Sequence, residues 1–235
     1  AERYAEAGPR LQLVDRDQKA LEAFAKKLKG TYGCEVETYD ADLSESTEIV
    51  ELWKEISPLP DILVNNAGIF SPQNLTDIKD ASFDKTINVN TRAVLYMCRE
   101  FIERKGDRGG TIVNVASIEG VKAMTYNMAV YGASKAAVLA ISRALVKDYA
   151  NKNWKINTLV PGGIKTPGTT KMAMNAIKKL DFSVLLTGVK FSSRLPAKSM
   201  GEPDDVARAA LWLGTPISDY MNGSEVVVDG GFLSV

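Results

Sequence analysis

Tyr131 and Lys135 stand four residues apart in Ala129-Val-Tyr-Gly-Ala-Ser-Lys135, and none of the other tyrosines has a lysine at that spacing. On a helix, positions i and i+4 share a face, so phenol and ammonium point into one site. A free phenol, with a pKa near ~10, is a poor acid or base at neutral pH. A neighbouring cation favours the phenolate, which lowers that pKa and makes Tyr131 usable as a proton donor or acceptor. The chain contains no histidine. Ser-His-Asp and Cys-His catalysis, the helical metalloprotease motif and every His-ligated metal site are thereby excluded. Acid–base chemistry falls to Tyr, Lys, Asp or Glu. The two cysteines, Cys34 and Cys98, have no CxxC spacing. They read as buried thiols in a reducing compartment, with no metal site and no disulfide. Cys98, among apolar helix residues, reads as core and not as a nucleophile.

These side chains need elements to hold them. Short β-branched runs alternate with longer amphipathic stretches. Strands are expected at Leu11–Val14, Glu35–Tyr39, Ile62–Val64, Thr111–Val115, Lys155–Val160 and Glu225–Val228. Helices are expected at Asp17–Lys29, closed by Gly30, and at Ser44–Ile56, with Ser44 as N-cap. Further helices follow at Phe83–Arg104, Val130–Lys152 and Asp204–Leu213. Uninterrupted apolar strands between helices predict an α/β fold, a doubly wound, Rossmann-like parallel sheet with helices on both faces. With no repeat or linker, residues 1–235 read as one domain. The 29 basic residues balance 29 acidic ones and form no aromatic-rich basic stripe, so a nucleic-acid partner has no support. No apolar run reaches the ~18 residues of a membrane span, and the start resembles no signal peptide, so a cytoplasmic location is expected.

In such a sheet, ligands bind beyond the carboxyl ends of the strands. The unusual residues of this sequence cluster there: Asp15; Asp42 and Leu43; Asn65-Asn-Ala-Gly68; Ser117; and Pro161-Gly-Gly-Ile-Lys-Thr166. Together with Asn90 in Ile87-Asn-Val-Asn90, the Tyr131/Lys135 pair and the closing Val228-Asp-Gly-Gly231, these motifs resemble the short-chain dehydrogenase/reductase family nearly from end to end. The resemblance implies hydride transfer between a nicotinamide cofactor and an alcohol or carbonyl carbon. It also implies catalytic roles. Tyr131 exchanges the proton with the substrate oxygen, and Lys135 binds the nicotinamide ribose and depresses the tyrosine pKa. Ser117 holds the substrate oxygen, and Asn90 anchors a water in a proton relay. The cofactor would be lined by Asp15, Arg16, Asp42, Leu43, Asn66, Ala67, Gly68, Tyr131, Lys135, Pro161, Gly162, Ile164 and Thr166.

In dinucleotide folds the acidic residue that reads the adenosine ribose follows the glycine fingerprint by ~20 residues. Asp15 fits that role, so the glycine turn and its strand are expected upstream of Ala1, with Ala1–Ala7 as the tail of the first helix. A carboxylate there bonds both ribose hydroxyls and repels a 2′-phosphate, which favours NAD over NADP; Arg16 beside it would suit the phosphate. The stretch from Thr166 to Gly201 reads as a substrate lid, with Lys171–Leu180 as a short helix, Phe182–Leu186 apolar, and Met172 and Met174 as pocket or packing residues. The substrate is expected to be a small alcohol or ketone. The alternatives are an NADPH-dependent 3-oxoacyl thioester reductase, which Asp15 argues against, and a silent dinucleotide-binding scaffold, which would be expected to have lost Tyr131, Lys135 or Ser117. Apolar residues spread around two helices, Ala93, Val94, Met97, Phe101 and Ile102 on one and Ala136, Ala137, Ala140, Ile141, Ala144 and Leu145 on the other, predict self-association, and the family resemblance implies a homodimer or homotetramer built on these two helices.

Overall fold

The structure, a computed structural model, describes residues 1–166, 168–170, 174 and 193–235. Among the described residues, six parallel strands carry the fold: β1 (Leu11–Asp15), β2 (Val36–Asp40), β3 (Ile62–Asn65), β4 (Gly110–Val115), β5 (Trp154–Pro161) and β6 (Glu225–Val228). The principal helices are α1 (Glu2–Glu6), α2 (Gln18–Tyr32), α3 (Ser46–Glu55), α4 (Asp80–Ile87), α5 (Ala93–Lys105), α6 (Ala129–Tyr149) and α7 (Pro203–Gly214). The strands form two parallel ladders, β1–β2 and β3–β4–β5–β6, so the single sheet expected from the sequence is divided between β1 and β3.

Alternation along the central strands explains why helices lie on both faces. Ile112 of β4 and Ile156 and Val160 of β5 enter the larger core with α3, α5 and α6. Val113 and Leu159, one position out of phase, meet Ala210 and Leu213 of α7. Consecutive strand residues point to opposite faces, so strands apolar at every position require cover on both. All five strand residues are fully buried. At ~25 cal/mol per Å² of apolar surface, each contributes roughly 1.5–3 kcal/mol. Trp53 of α3 stacks on Phe101 of α5, and Phe101 meets Trp154 of β5 edge-on, locking two helices to the sheet. The β1–β2 ladder has its own small core of Ala5, Leu11, Ala25, Leu28, Cys34 and Val36. Tyr4 of α1 donates to Ala210 O at 2.8 Å, and Arg3 pairs with Asp204, which tie this part of the chain to α7.

Several local expectations shift. The α2 helix runs one turn past Gly30 and closes at Gly33, whose φ of +67° is the left-handed conformation that a C-cap needs. Ser44 does not cap α3: Glu45 holds the N-cap position, and the Ser44 N–H instead donates to Asp42 Oδ1. The long helix expected at Phe83–Arg104 is broken by a π-helical turn at Asn88–Arg92. By length and composition, Ala129–Lys152 does meet the criterion for a membrane span. It also carries the buried Ser134 and Lys135 and packs against β4 and β5, as a core helix does. The five apolar residues assigned to a partner surface on α5, Ala93 to Ile102, are already buried within this chain. On α6, Ala140 and Ala144 are exposed, and Leu145 packs partly against the core. The two cysteines are free and buried, as expected. Apart from Met174, which is exposed, the lid helix and the apolar run after it lie outside the described residues.

Candidate active site

The sheet ends bring Ser117, Tyr131, Lys135 and Asn90 together. Ser117 follows β4, and a 3-10 turn at Ile118–Gly120 folds the chain back onto α6. That approach needs glycine. A Cβ on Gly120 would lie 2.7 Å from the Ala136 nitrogen and the Lys135 carbonyl carbon, and one on Gly132 would lie 3.1 Å from Glu119 O. With both absent, the turn that carries Ser117 packs directly against the part of α6 that carries Tyr131 and Lys135. Glu119 completes the turn: its carboxylate accepts from the N–H groups of Met124 and Thr125 and from the Thr125 hydroxyl.

Asn90 sits fully buried in the π-helical turn. The extra residue in that turn widens the helix and aims the amide at the loop after β3. Its Oδ1 accepts from Ile69 N at 2.8 Å, and its Nδ2 donates to Ile69 O and to Ser134 Oγ, each at 3.0 Å. Ser134 Oγ in turn donates to Tyr131 O at 2.7 Å. Asn90 and Ser134 thus join the β3 loop to the first turn of α6. Lys135 is buried, and its Nζ donates to Val115 O at 2.8 Å. An ammonium has three donors, and this is the one side-chain bond Lys135 makes among the described residues.

The electrostatics differ in one respect from expectation. Burial pushes the Tyr131 phenol above its ordinary value, the nearby Ser117 hydroxyl opposes that, and the Glu119 charge adds to it. Lys135 is itself pushed down to about 8 by burial. Desolvation disfavours whichever form is charged, so it acts in opposite directions on the two groups. The lowering of the Tyr131 pKa expected from the lysine is therefore not found: burial sets the direction, and Lys135 is not among the influences on the phenol. Cys98, bonded to Asn65 and Asn114 beneath the site, is pushed up to about 12, which removes it as a nucleophile.

The other sequence candidates occupy the same edge. Asn66, Ala67 and Gly68 are exposed after β3, and a Cβ on Gly68 would press within 3.3 Å of Asn90 Oδ1 and 3.4 Å of Lys135 Nζ. Pro161 ends β5, Gly162 packs on Asp229, Ile164 bridges to Gly201, and Thr166 exchanges hydrogen bonds with Thr169. At the end of the other ladder, Asp15 is exposed and accepts from Asp17 N. Arg16 reaches Asp42 at 3.5 Å. The Ser44 N–H holds the Asp42 carboxyl below its usual range, with Arg16 a lesser influence. Leu43 packs partly into the main core. Arg92, from the π-helical turn, donates to Ser44 O and so connects the loop after β2 with the turn that carries Asn90. Sequence reasoning passed over Ser134, Gly120, Glu119 and Phe70. Ser134 is three residues after Tyr131, a helix-face spacing that signals contact; the other three depend on loop geometry and carry no such signal.

A nicotinamide dinucleotide fits these residues. The gap kept open by Gly68 runs beside the buried Lys135 ammonium, whose unmatched donors suit a ribose diol, and the exposed Asp15 carboxylate suits a second one. Comparison with known proteins agrees. A family model described as enoyl-(acyl carrier protein) reductase matches residues 1–233. A 3-oxoacyl-[acyl-carrier-protein] reductase of Thermotoga maritima is 29% identical over 98% of this chain and 90% of its own. A structure described as a short-chain dehydrogenase/reductase of Burkholderia xenovorans superposes with a TM-score of 0.88 at 32% identity, covering 99% of this chain and 88% of that one. L-sorbose reductase of Gluconobacter frateurii, solved with NADPH and L-sorbose, gives a TM-score of 0.90 at 28% identity, covering 100% and 90%.

Proposed function

The chain belongs to the short-chain dehydrogenase/reductase family, and from that premise we propose that it interconverts a small secondary alcohol and its ketone with NAD(H), using Tyr131 as acid and base. The observation that carries this reading is the turn of Ser117, packed through Gly120 against the helix that carries Tyr131 and the buried Lys135. The bound nicotinamide supplies or accepts the hydride. In reduction, negative charge develops on the substrate oxygen. Ser117 donates a hydrogen bond to that oxygen and Tyr131 delivers its proton there; in oxidation Tyr131 takes the proton back. Preorganised donors stabilise the charge without rearrangement, and the Asn90–Ser134 chain anchors the Tyr131 backbone carbonyl in the first turn of α6. Lys135 would bind the ribose hydroxyls with the N–H groups that Val115 leaves free.

Two features favour NAD over NADP. The Asp15 carboxylate is exposed at the end of β1 and free to accept from ribose hydroxyls, and Arg16 already faces Asp42, which blunts it as a phosphate ligand. The buried free thiols support a reducing, cytoplasmic setting. The exposed alanines Ala140 and Ala144 on α6 support pairing of that helix across a two-fold axis, which light scattering on the full-length protein would test; a monomer mass with activity retained would count against it. The test of function is a panel of alcohols and ketones scored by NADH and NADPH absorbance. Turnover of a ketone with NADH supports the reading, and its absence across the panel with both cofactors contradicts it.

A further inference from the structure

The Tyr131 phenol is bordered by two loops, and both present apolar side chains outward. Phe70, two residues past Gly68, places its ring edge-on against the Tyr131 ring at 5.1 Å between centroids, yet remains 43% exposed. A large ring that packs on the reacting residue and still faces outward has one side available to a ligand. The two loops are fastened together: Gln73 N donates to Asn127 O at 2.8 Å, and the Ser82 hydroxyl steadies the Gln73 side chain. Across that bond, Val121 and Tyr126 are also exposed. The charged group that bears on the phenol, the Glu119 carboxylate, is taken up by Met124 and Thr125 and has its bonding directed into its own loop. Its charge also disfavours a carboxylate on the substrate beside Tyr131. A substrate hydroxyl placed against Phe70 would lose water and gain no partner, whereas an apolar ring would gain aromatic contact.

We propose that Phe70 is a specificity-determining residue that selects ketones and alcohols carrying an apolar ring or chain next to the reacting carbon, over hydroxylated ones. The proposal rests on the oxidoreductase reading above. Wild-type full-length protein is assayed with NADH on cyclohexanone and on dihydroxyacetone, followed by Phe70→Ala and Phe70→Leu. Wild type should prefer cyclohexanone in kcat/KM. Phe70→Ala should lower the cyclohexanone-to-dihydroxyacetone ratio roughly tenfold, mostly through KM for cyclohexanone, and Phe70→Leu should recover part of it. Equal losses on both ketones would mean that Phe70 only steadies Tyr131 and would overturn the proposal. So would an unchanged ratio, or a wild-type preference for dihydroxyacetone. Turnover of other panel ketones but of neither of these would overturn the proposal alone, and no turnover across the panel with NADH or NADPH would overturn the reading beneath it, and the proposal with it.

Discussion

Gly120→Ala adds one methyl group to the turn between Ser117 and α6. Nothing in the Gly120 backbone forbids alanine, since its φ lies outside the left-handed region, so the whole effect is steric. The new Cβ would stand 2.7 Å from the Ala136 nitrogen and the Lys135 carbonyl carbon, about 0.7 Å inside the ordinary contact limit of 3.4 Å. Both neighbours are helix backbone and cannot swing aside, so turn and helix must separate by about that distance. Overpacking of this kind costs typically ~1–3 kcal/mol. The displacement moves Ser117 relative to Tyr131 and Lys135, and a misplacement near ~1 Å at a reacting centre costs up to ~10²-fold in rate. We expect kcat to fall roughly 10- to 100-fold, while NADH affinity, measured by fluorescence titration, changes less. Gly30→Ala is the matched control. A Cβ there meets nothing within 4 Å and sits inside α2, so it should raise stability by roughly 0.5–1 kcal/mol and leave kcat alone. A Gly120→Ala enzyme within twofold of wild-type kcat would refute the claim that this close approach sets the catalytic geometry.

Two further outcomes follow from the charges. Lys135 carries a cation whose pKa burial lowers to about 8, so it loses its proton as pH rises through that value. NADH affinity should weaken above about pH 8, and Lys135→Arg, whose guanidinium keeps its charge, should lack that limb; an identical profile in both proteins would assign it elsewhere. Tyr131, by contrast, is raised above its ordinary value, so it stays protonated for ketone reduction through neutral pH. Asp15→Ala should weaken NAD binding and raise the ratio of kcat/KM for NADP over NAD, since both the ribose hydrogen bonds and the repulsion of a 2′-phosphate disappear. An unchanged ratio would mean that another residue reads the ribose.

The sequence made the strands and the chemistry legible because both rest on short-range patterns. Apolar runs at β4 and β5 have few readings other than buried parallel strands, and the spacing of Tyr131 and Lys135 places them on one helix face in any context. What escaped depends on three dimensions. Gly30 and Gly33 are equally plausible stops until the backbone shows which adopts the left-handed conformation. The π-helical turn that aims Asn90 leaves no mark in the periodicity of the residues around it. Burial of Ala93 to Ile102 by their own sheet, and not by a partner, is invisible to a count of apolar positions. The Tyr131 pKa illustrates the same limit: pair chemistry suggests lowering, and the degree of desolvation decides the opposite.

Tyr131→Phe tests the central claim most directly. The substitution keeps the ring that packs against Phe70 and removes only the hydroxyl. With a ketone that wild type reduces, kcat should fall by roughly 10²–10⁴-fold, the range expected for losing a general acid, while NADH binding by fluorescence titration stays largely intact. A Tyr131→Phe enzyme that keeps most of its wild-type kcat would contradict the assignment of Tyr131 as the acid–base residue.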